Sequence, residues 1–291
     1  MTAATGILAA GISLLAWGFG DFALQRTTRK VPIPCILFGI GIAGVVLLLP
    51  FSLHDLPLLH GMPLLRVTAA ALLLFGASSV GLTAFRKGKL SVIEPILSLE
   101  LVVAILTGWI VLHERLTGMQ LLLAGFVLVG VILVSYREKV RAFFFFKRRV
   151  IEYGVGLALI GAFFQGLQII MYSVASRELS PITAVWAIHV VVMVIACLWL
   201  WQSGGWKNVI PATTATPFVF PAVILPNVAW VAYGYAVIQF QIGLTAAMVE
   251  SYIALAALLG VVWNKEKLQR HQYAGMILAI AAAIVLAAVS E

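Results

Sequence analysis

The side chains of this sequence with most chemistry to offer are carboxyl groups, and they lie where carboxyl groups are costly. Glu94, Glu100 and Glu250 fall within long apolar runs, as do Asp21 and His189, and no Lys or Arg stands midway along any such run. An ionisable group within hydrocarbon costs ~3 kcal/mol or more on insertion scales and turns toward a bundle interior. An interior rich in acid and free of bases favours protons or cationic solutes over strongly anionic ones. Glu250 and Glu100 are the candidate coupling residues, with Glu94 a third whose neighbour Pro95 also suits a helix start. Around Glu250, the small residues Gly243, Ala246, Ala247, Ala254 and Ala257 recur at helical spacing. Such a stripe permits close helix packing or leaves room for a cavity.

Polar and aromatic residues recur on the same logic. Ser13, Trp17, Gly20 and Asp21 fall on one helical face, and Gly161, Gln165, Gln168 and Tyr172 on another. A lipid-facing surface has no use for these stripes, so both are expected to face inward, toward a solute or toward polar packing. A later run carries Asn227, Trp230 and Tyr233 after Pro221 and Pro226. Proline removes a donor and frees a carbonyl, and in lipid such a break is tolerated where it is buried or lines water. This run is read as bent toward a cavity, with Asn227 and Trp230 on its inner face, and a plain kink is the competing reading. Ser79 sits at the equivalent level of an earlier run. An aromatic face beside a carboxylate suits a cation. The candidate solute-binding residues are therefore Trp17, Gln165, Gln168, Asn227, Trp230 and Tyr233. Ser79, Ser98, Glu100 and Tyr252 complete the set.

The elements that must hold these residues are membrane helices. Hydrophobic residues make up 63% of the chain and charged residues 10%, with mean hydropathy +1.08. A soluble core needs far less apolar side chain. Ten runs suit spans of roughly 20 residues, near 5–25, 33–51, 65–85, 90–112, 118–136, 152–173, 182–202, 217–238, 243–263 and 272–289. They are long and not alternating, which argues for an all-α bundle over a β-barrel. The net charge of +8 does not point to nucleic acid, because 16 of the 19 basic residues fall in loops on one side of a ten-span layout. That bias predicts a multi-pass protein of the cell membrane with the basic side cytoplasmic and both termini extracytoplasmic. The first span, followed by Arg26, Arg29 and Lys30, is read as an uncleaved anchor. Cys35 and Cys197 are read as buried thiols, and His189 as a packed histidine. His54, Asp55 and His60 lack metal spacing, so neither a metal nor a cofactor is expected. The expected partners are a small solute and membrane lipid, with homo-oligomerisation left open.

The chain also says nearly the same thing twice. His113-Glu114-Arg115-Leu116 precedes Gln120, and Lys265-Glu266-Lys267-Leu268 precedes Gln272, with the glutamates 152 residues apart. In that frame Ser98 matches Glu250, and Glu100 matches Tyr252. The expected organisation is a first five-helix repeat over 1–136, a basic and aromatic connector over 137–151, and a second repeat over 152–291. Five spans are an odd number, so the second copy enters the membrane inverted, which is an alternating-access design.

Ser91-Val92-Ile93-Glu94-Pro95, a span ending in His113-Glu114-Arg115-Leu116-Thr117, then Gln120 and Gly125, resembles the end of an EamA-type domain. Glu266, Leu268, Gln272 and Gly275 resemble it more closely, and Ala84-Phe85-Arg86 before Gly88 also fits. Leu123 stands in the first copy where Gly275 stands in the second. The resemblance implies the drug/metabolite transporter superfamily: ten helices, a central cavity, fifth and tenth helices at the periphery, and small solutes moved, often outward. It also implies cytoplasmic termini, opposite to the loop charges. The function expected is secondary transport of a metabolite, amino acid or organic cation, by export and with proton coupling through Glu250. The rivals are a lipid-modifying membrane enzyme, for which no nucleophile or metal constellation stands out, and a non-transporting receptor or scaffold.

Overall fold

The computed structural model describes residues 3–87, 96–135, 148–255, 259, 262 and 269–289. Among these residues the regular elements are all helical. The first half gives α1 (Ala3–Thr28), α2 (Ile33–Ser52), α3 (Gly61–Lys87), α4 (Glu100–Leu112) and α5 (Gly118–Ser135). The second gives α6 (Arg148–Glu178), α7 (Pro181–Gln202), α8 (Val219–Gln239), α9 (Ile242–Glu250) and α10 (Arg270–Ala288). Seven of them, α1–α3, α6–α8 and α10, are long and apolar enough to cross a membrane, and α4, α5 and the segment 242–255 are shorter apolar helices. Large apolar side chains such as Leu8, Val46, Leu72, Leu159, Leu198 and Ile277 are exposed along them. Surfaces of that kind suit lipid rather than water.

Local chemistry sets where the helices start. α7 opens on Pro181, where a missing N–H costs nothing, and the Ser180 hydroxyl accepts the Thr183 N–H at 3.2 Å. α5 opens with a reciprocal capping box. The Thr117 N–H donates to Gln120 Oε1 at 2.9 Å, and the Gln120 N–H donates to Thr117 Oγ1 at 3.2 Å. α10 opens the same way on Gln269 and Gln272. The two glutamines that mark the repeat are thus helix-start devices. Glu266, the repeat's second glutamate, lies outside the described residues.

The chain forms two compact units, each drawing on both halves: Met1–Phe75 with Met171–Gln239, and Gly76–Ile170 with Phe240–Glu291. In the first unit α1 packs on α8 and α2 on α7. A Cβ on Gly41 would come 2.9 Å from the Cβ of Met193, and one on Gly44 would strike His189 and Asn227. Numbering rises along α2 as it falls along α7, so these repeat-equivalent helices run antiparallel, as inverted copies must.

In the second unit α5 packs along α10, and α4 packs on α9. A Cβ on Gly130 would lie 2.7 Å from the Ala279 nitrogen and from the Gly275 oxygen. The two backbones touch, which is how small residues hold membrane helices together. α5 and α10 each keep an outward apolar face, with Phe126 and Ile132 exposed on one and Ile277 and Ile284 on the other. In the same unit, Gly161 of α6 meets Ala77 and Gly81 of α3, and Gly166 meets Val103 and the Glu100 carbonyl of α4.

The structure departs from the sequence expectation in its breaks. The runs near 90–112 and 243–263 are not continuous helices. The first turns at Ser98 and Leu99 before α4 begins, and the second turns at Ser251 after α9 ends. α6 begins at Arg148, so the last residues of the expected connector are helical, while 137–147 lie outside the described residues. The loop expected over 203–216 holds a 3-10 turn, Gly205–Asn208, and a short helix, Val209–Thr214.

Candidate functional site

The two breaks fall at equivalent positions of the repeat, since Ser98 and Leu99 correspond to Glu250 and Ser251. A serine stands at each turn, a residue type whose hydroxyl can compete for backbone partners. The Ser251 Oγ donates to the Met248 carbonyl at 2.8 Å, and its N–H turns back to Val249. At the other break the Leu99 N–H bonds Ile96 and the Leu101 N–H bonds Ser98, both tight turns at 3.2 Å. A carboxylate flanks each break. Glu100 is the first residue of α4, and Glu250 is the last residue of α9. The sequence placed Glu100 mid-span and Glu250 inside a continuous helix; both stand instead at helix ends.

Contacts within the second unit set how the two broken helices run against each other. A Cβ on Gly243 would lie 3.0 Å from the Ile105 side chain, and α9 starts where α4 ends, because the Ile242 N–H donates to Glu114 Oε2 at 2.8 Å. α4 and α9 are therefore antiparallel. Seven residues on from Gly243 is Glu250, and seven back from Ile105 is Ser98, each about 10 Å along at ~1.5 Å per residue. The two breaks come level with one another. Ser98 is 2% exposed, Glu250 5%, and Ser251 1%. The breaks are thus buried within the unit.

Other candidates belong to the same unit. Gln168 on α6 is 1% exposed, and neither its Oε1 nor the buried Ser79 hydroxyl on α3 has a hydrogen-bond partner among the described residues. Burying an unsatisfied polar atom costs ~1–3 kcal/mol. Gln165, Glu100 and Tyr252 are partly exposed. Glu94 lies outside the described residues.

The first unit gathers the rings. Trp230 is the hub, with its centroid 5.3 Å from Trp17, 5.1 Å from Tyr172 and 5.7 Å from Tyr233, all near edge-to-face. Such pairs add ~0.5–1.5 kcal/mol each beyond burial. The Tyr172 hydroxyl donates to the Trp230 carbonyl at 2.5 Å. Trp230, Tyr233 and Tyr172 are buried, whereas Trp17 keeps part of its ring open. The α1 stripe explains the placement: Ser13 donates to the Ala229 carbonyl at 3.0 Å, and Gly20 packs on Leu225 and Pro226. That face meets α8. Tyr172 joins the cluster although sequence reasoning gave it no site role. Its place in the α6 stripe was the available signal.

Asn227 stands apart from the rings. Its Nδ2 donates to Val223 at 2.8 Å within α8 and to Ile40 of α2 at 3.2 Å. Its Oδ1 and His189 Nδ1 both converge on the space above Gly44, forming a polar node among α2, α7 and α8. His189 is packed there, 1% exposed. Nearer the helix ends of this unit, Arg66 pairs with Glu178, and Arg177 donates to the Val237 carbonyl at 3.0 Å. The two cysteines are free thiols, and no group of His, Cys, Asp and Glu among the described residues has a metal-holding arrangement.

The model of a family described as EamA-like transporter family matches twice, over residues 4–136 and 152–288. No curated protein gives a match. A solved crystal structure, 15% identical in sequence, superposes at a TM-score of 0.76 over 100% of this chain and 99% of its own. At that identity the likeness speaks for the fold alone.

Proposed function

The chain belongs to the EamA-like transporter family, a family of membrane proteins that carry small solutes, and from that premise we propose that it exports a small organic solute by alternating access with proton coupling. The observation that carries this reading is the pair of repeat-equivalent helix breaks, level with one another and flanked by Glu100 and Glu250. Burial disfavours the charged form of a carboxyl group in general, so a buried carboxyl group suits exchange between a proton and a cation. A proton and a cationic group on the solute would occupy Glu250 by turns, and that exchange links the two fluxes. Ser98 at one break supplies a polar contact, and Gln168 and Ser79 offer further acceptors. Within the other unit, Trp17, backed by Trp230, Tyr172 and Tyr233, offers a ring face of the kind that suits an aromatic or cationic group. The solute class is a metabolite, amino acid or organic cation.

The test is solute flux against pH in proteoliposomes. Glu250→Gln, which mimics the protonated acid, is expected to keep the fold and lose pH-dependent flux. Glu100→Gln is expected to impair it less, because its repeat partner is the non-acidic Tyr252. A wild-type rate and pH profile in Glu250→Gln would make the carboxylate structural. The loop charges further propose a cell-membrane protein with extracytoplasmic termini. A C-terminal reporter active only in the cytoplasm should then stay silent, and robust cytoplasmic activity would reverse the assignment.

A further inference from the structure

The repeated motif that marks the chain has half of its purpose unexplained by capping boxes, namely Glu114. We propose that Glu114 is a positioning residue for transport: it holds the start of α9 from the other repeat and so sets the level of Glu250 against Ser98. This rests on the reading of Glu250 as the coupling carboxylate.

Three observations converge on it. First, α9 has no cap of its own. Gln241 occupies the N-cap without a side-chain bond to the helix, and its Nε2 donates instead to the Arg115 carbonyl at 3.1 Å. The first N–H groups of a helix need an outside acceptor, and Glu114 Oε2 supplies one to Ile242 at 2.8 Å. Second, the chain bends sharply to bring Glu114 there. His113 has φ 55, and it is the non-glycine residue with positive φ among the described ones. The left-handed turn lets the N–H groups of both His113 and Glu114 reach the Gly108 carbonyl, the latter at 3.1 Å. A strained residue held by its surroundings points to a role for the bend. Third, Gly108 packs against the carboxylate, since a Cβ there would meet Glu114 Oε2 in van der Waals contact at 3.4 Å.

The consequence follows from length. α9 runs nine residues from Ile242 to Glu250, so the anchored N–H and the carboxylate are opposite ends of one short rod, about 12 Å apart at ~1.5 Å per residue. Gly243 against Ile105 leaves no slack beside the anchor. A slip at Ile242 therefore passes directly to Glu250. His113 and Arg115 flank Glu114 in sequence, and the facing segment 240–245 carries no ionisable group. Around Glu250, α4 contributes Glu100, α5 contributes none, and α10 contributes Arg270, His271 and Tyr273 in its first turn.

The experiment measures the pH midpoint of flux in proteoliposomes for wild type, Glu250→Gln, Glu114→Ala, Glu114→Asp and Glu114→Gln, each scaled to folded protein. Glu114→Ala should move the midpoint by about one pH unit, a tenfold change in proton affinity. Glu114→Asp, one methylene short, should move it in the same direction. Glu114→Gln keeps an acceptor for the Ile242 N–H and should restore most of the wild-type profile. A purely structural role would lower yield and leave the midpoint in place. If Glu250→Gln loses pH dependence while Glu114→Ala and Glu114→Asp keep the wild-type midpoint, this proposal is wrong and the coupling reading stands. If Glu250→Gln keeps the wild-type profile, the coupling reading itself fails and takes this positioning role with it. Should Glu114→Ala not fold, the Glu114→Asp and Glu114→Gln pair decides alone.

Discussion

The unit built from Met1–Phe75 and Met171–Gln239 and the unit built from Gly76–Ile170 and Phe240–Glu291 differ in the continuity of their helices. In the first, continuous helices are tied side to side. Ser13, Tyr172 and Asn227 each donate to a carbonyl on another helix, and the rings pack edge to face around Trp230. In the second, two helices break at matching places and carboxylates stand at the breaks. The same repeated sequence plan thus yields one region of continuous, cross-tied helices and one with interrupted helices. The proposed roles divide the same way, with the aromatic surface in the first unit and the coupling carboxylate in the second.

The sharpest way to break that contrast is to compare Glu250→Gln with Trp17→Ala. The first should flatten the pH dependence of flux. The second should weaken apparent solute affinity about tenfold, ~1.4 kcal/mol, within the range of a desolvated ring–cation contact, and leave the pH profile intact. Flux measured against both pH and solute concentration separates them. If Trp17→Ala shifts the pH profile and Glu250→Gln changes only affinity, the division is inverted.

Packing gives the next test. Gly130→Ala places a methyl against the backbone of α10 and should destabilise by ~1–3 kcal/mol, read as a lower melting temperature in detergent. Gly125→Ala on the same helix meets open space and should leave stability unchanged or raised by up to ~1 kcal/mol. Equal effects at both positions would show that α5 and α10 are not in backbone contact.

The smallest effect belongs to the ring cluster. Tyr172→Phe removes the hydroxyl that donates to the Trp230 carbonyl and leaves the ring. It should cost ~0.5–1.5 kcal/mol and leave the pH dependence of flux unchanged. A change in the pH profile would tie the first unit to proton exchange and blur the distinction.

Sequence by itself determined the membrane, the helices and the repeat. Hydropathy fixes these because hydrocarbon forces each span to satisfy its own backbone, and Gln120 and Gln272 announce helix starts through contacts three residues apart. The α1 stripe was legible for the same reason, since Ser13, Trp17 and Gly20 share a face whatever they meet. Only the tertiary structure decided what that face meets, and it meets α8. It also decided that the runs holding Glu100 and Glu250 are broken, because apolar periodicity continues straight through Ser98 and Ser251 and carries no mark of a turn. The role of Glu114 was likewise hidden. Its partner, the Ile242 N–H, is a backbone group 128 residues away, and a backbone group has no sequence signature.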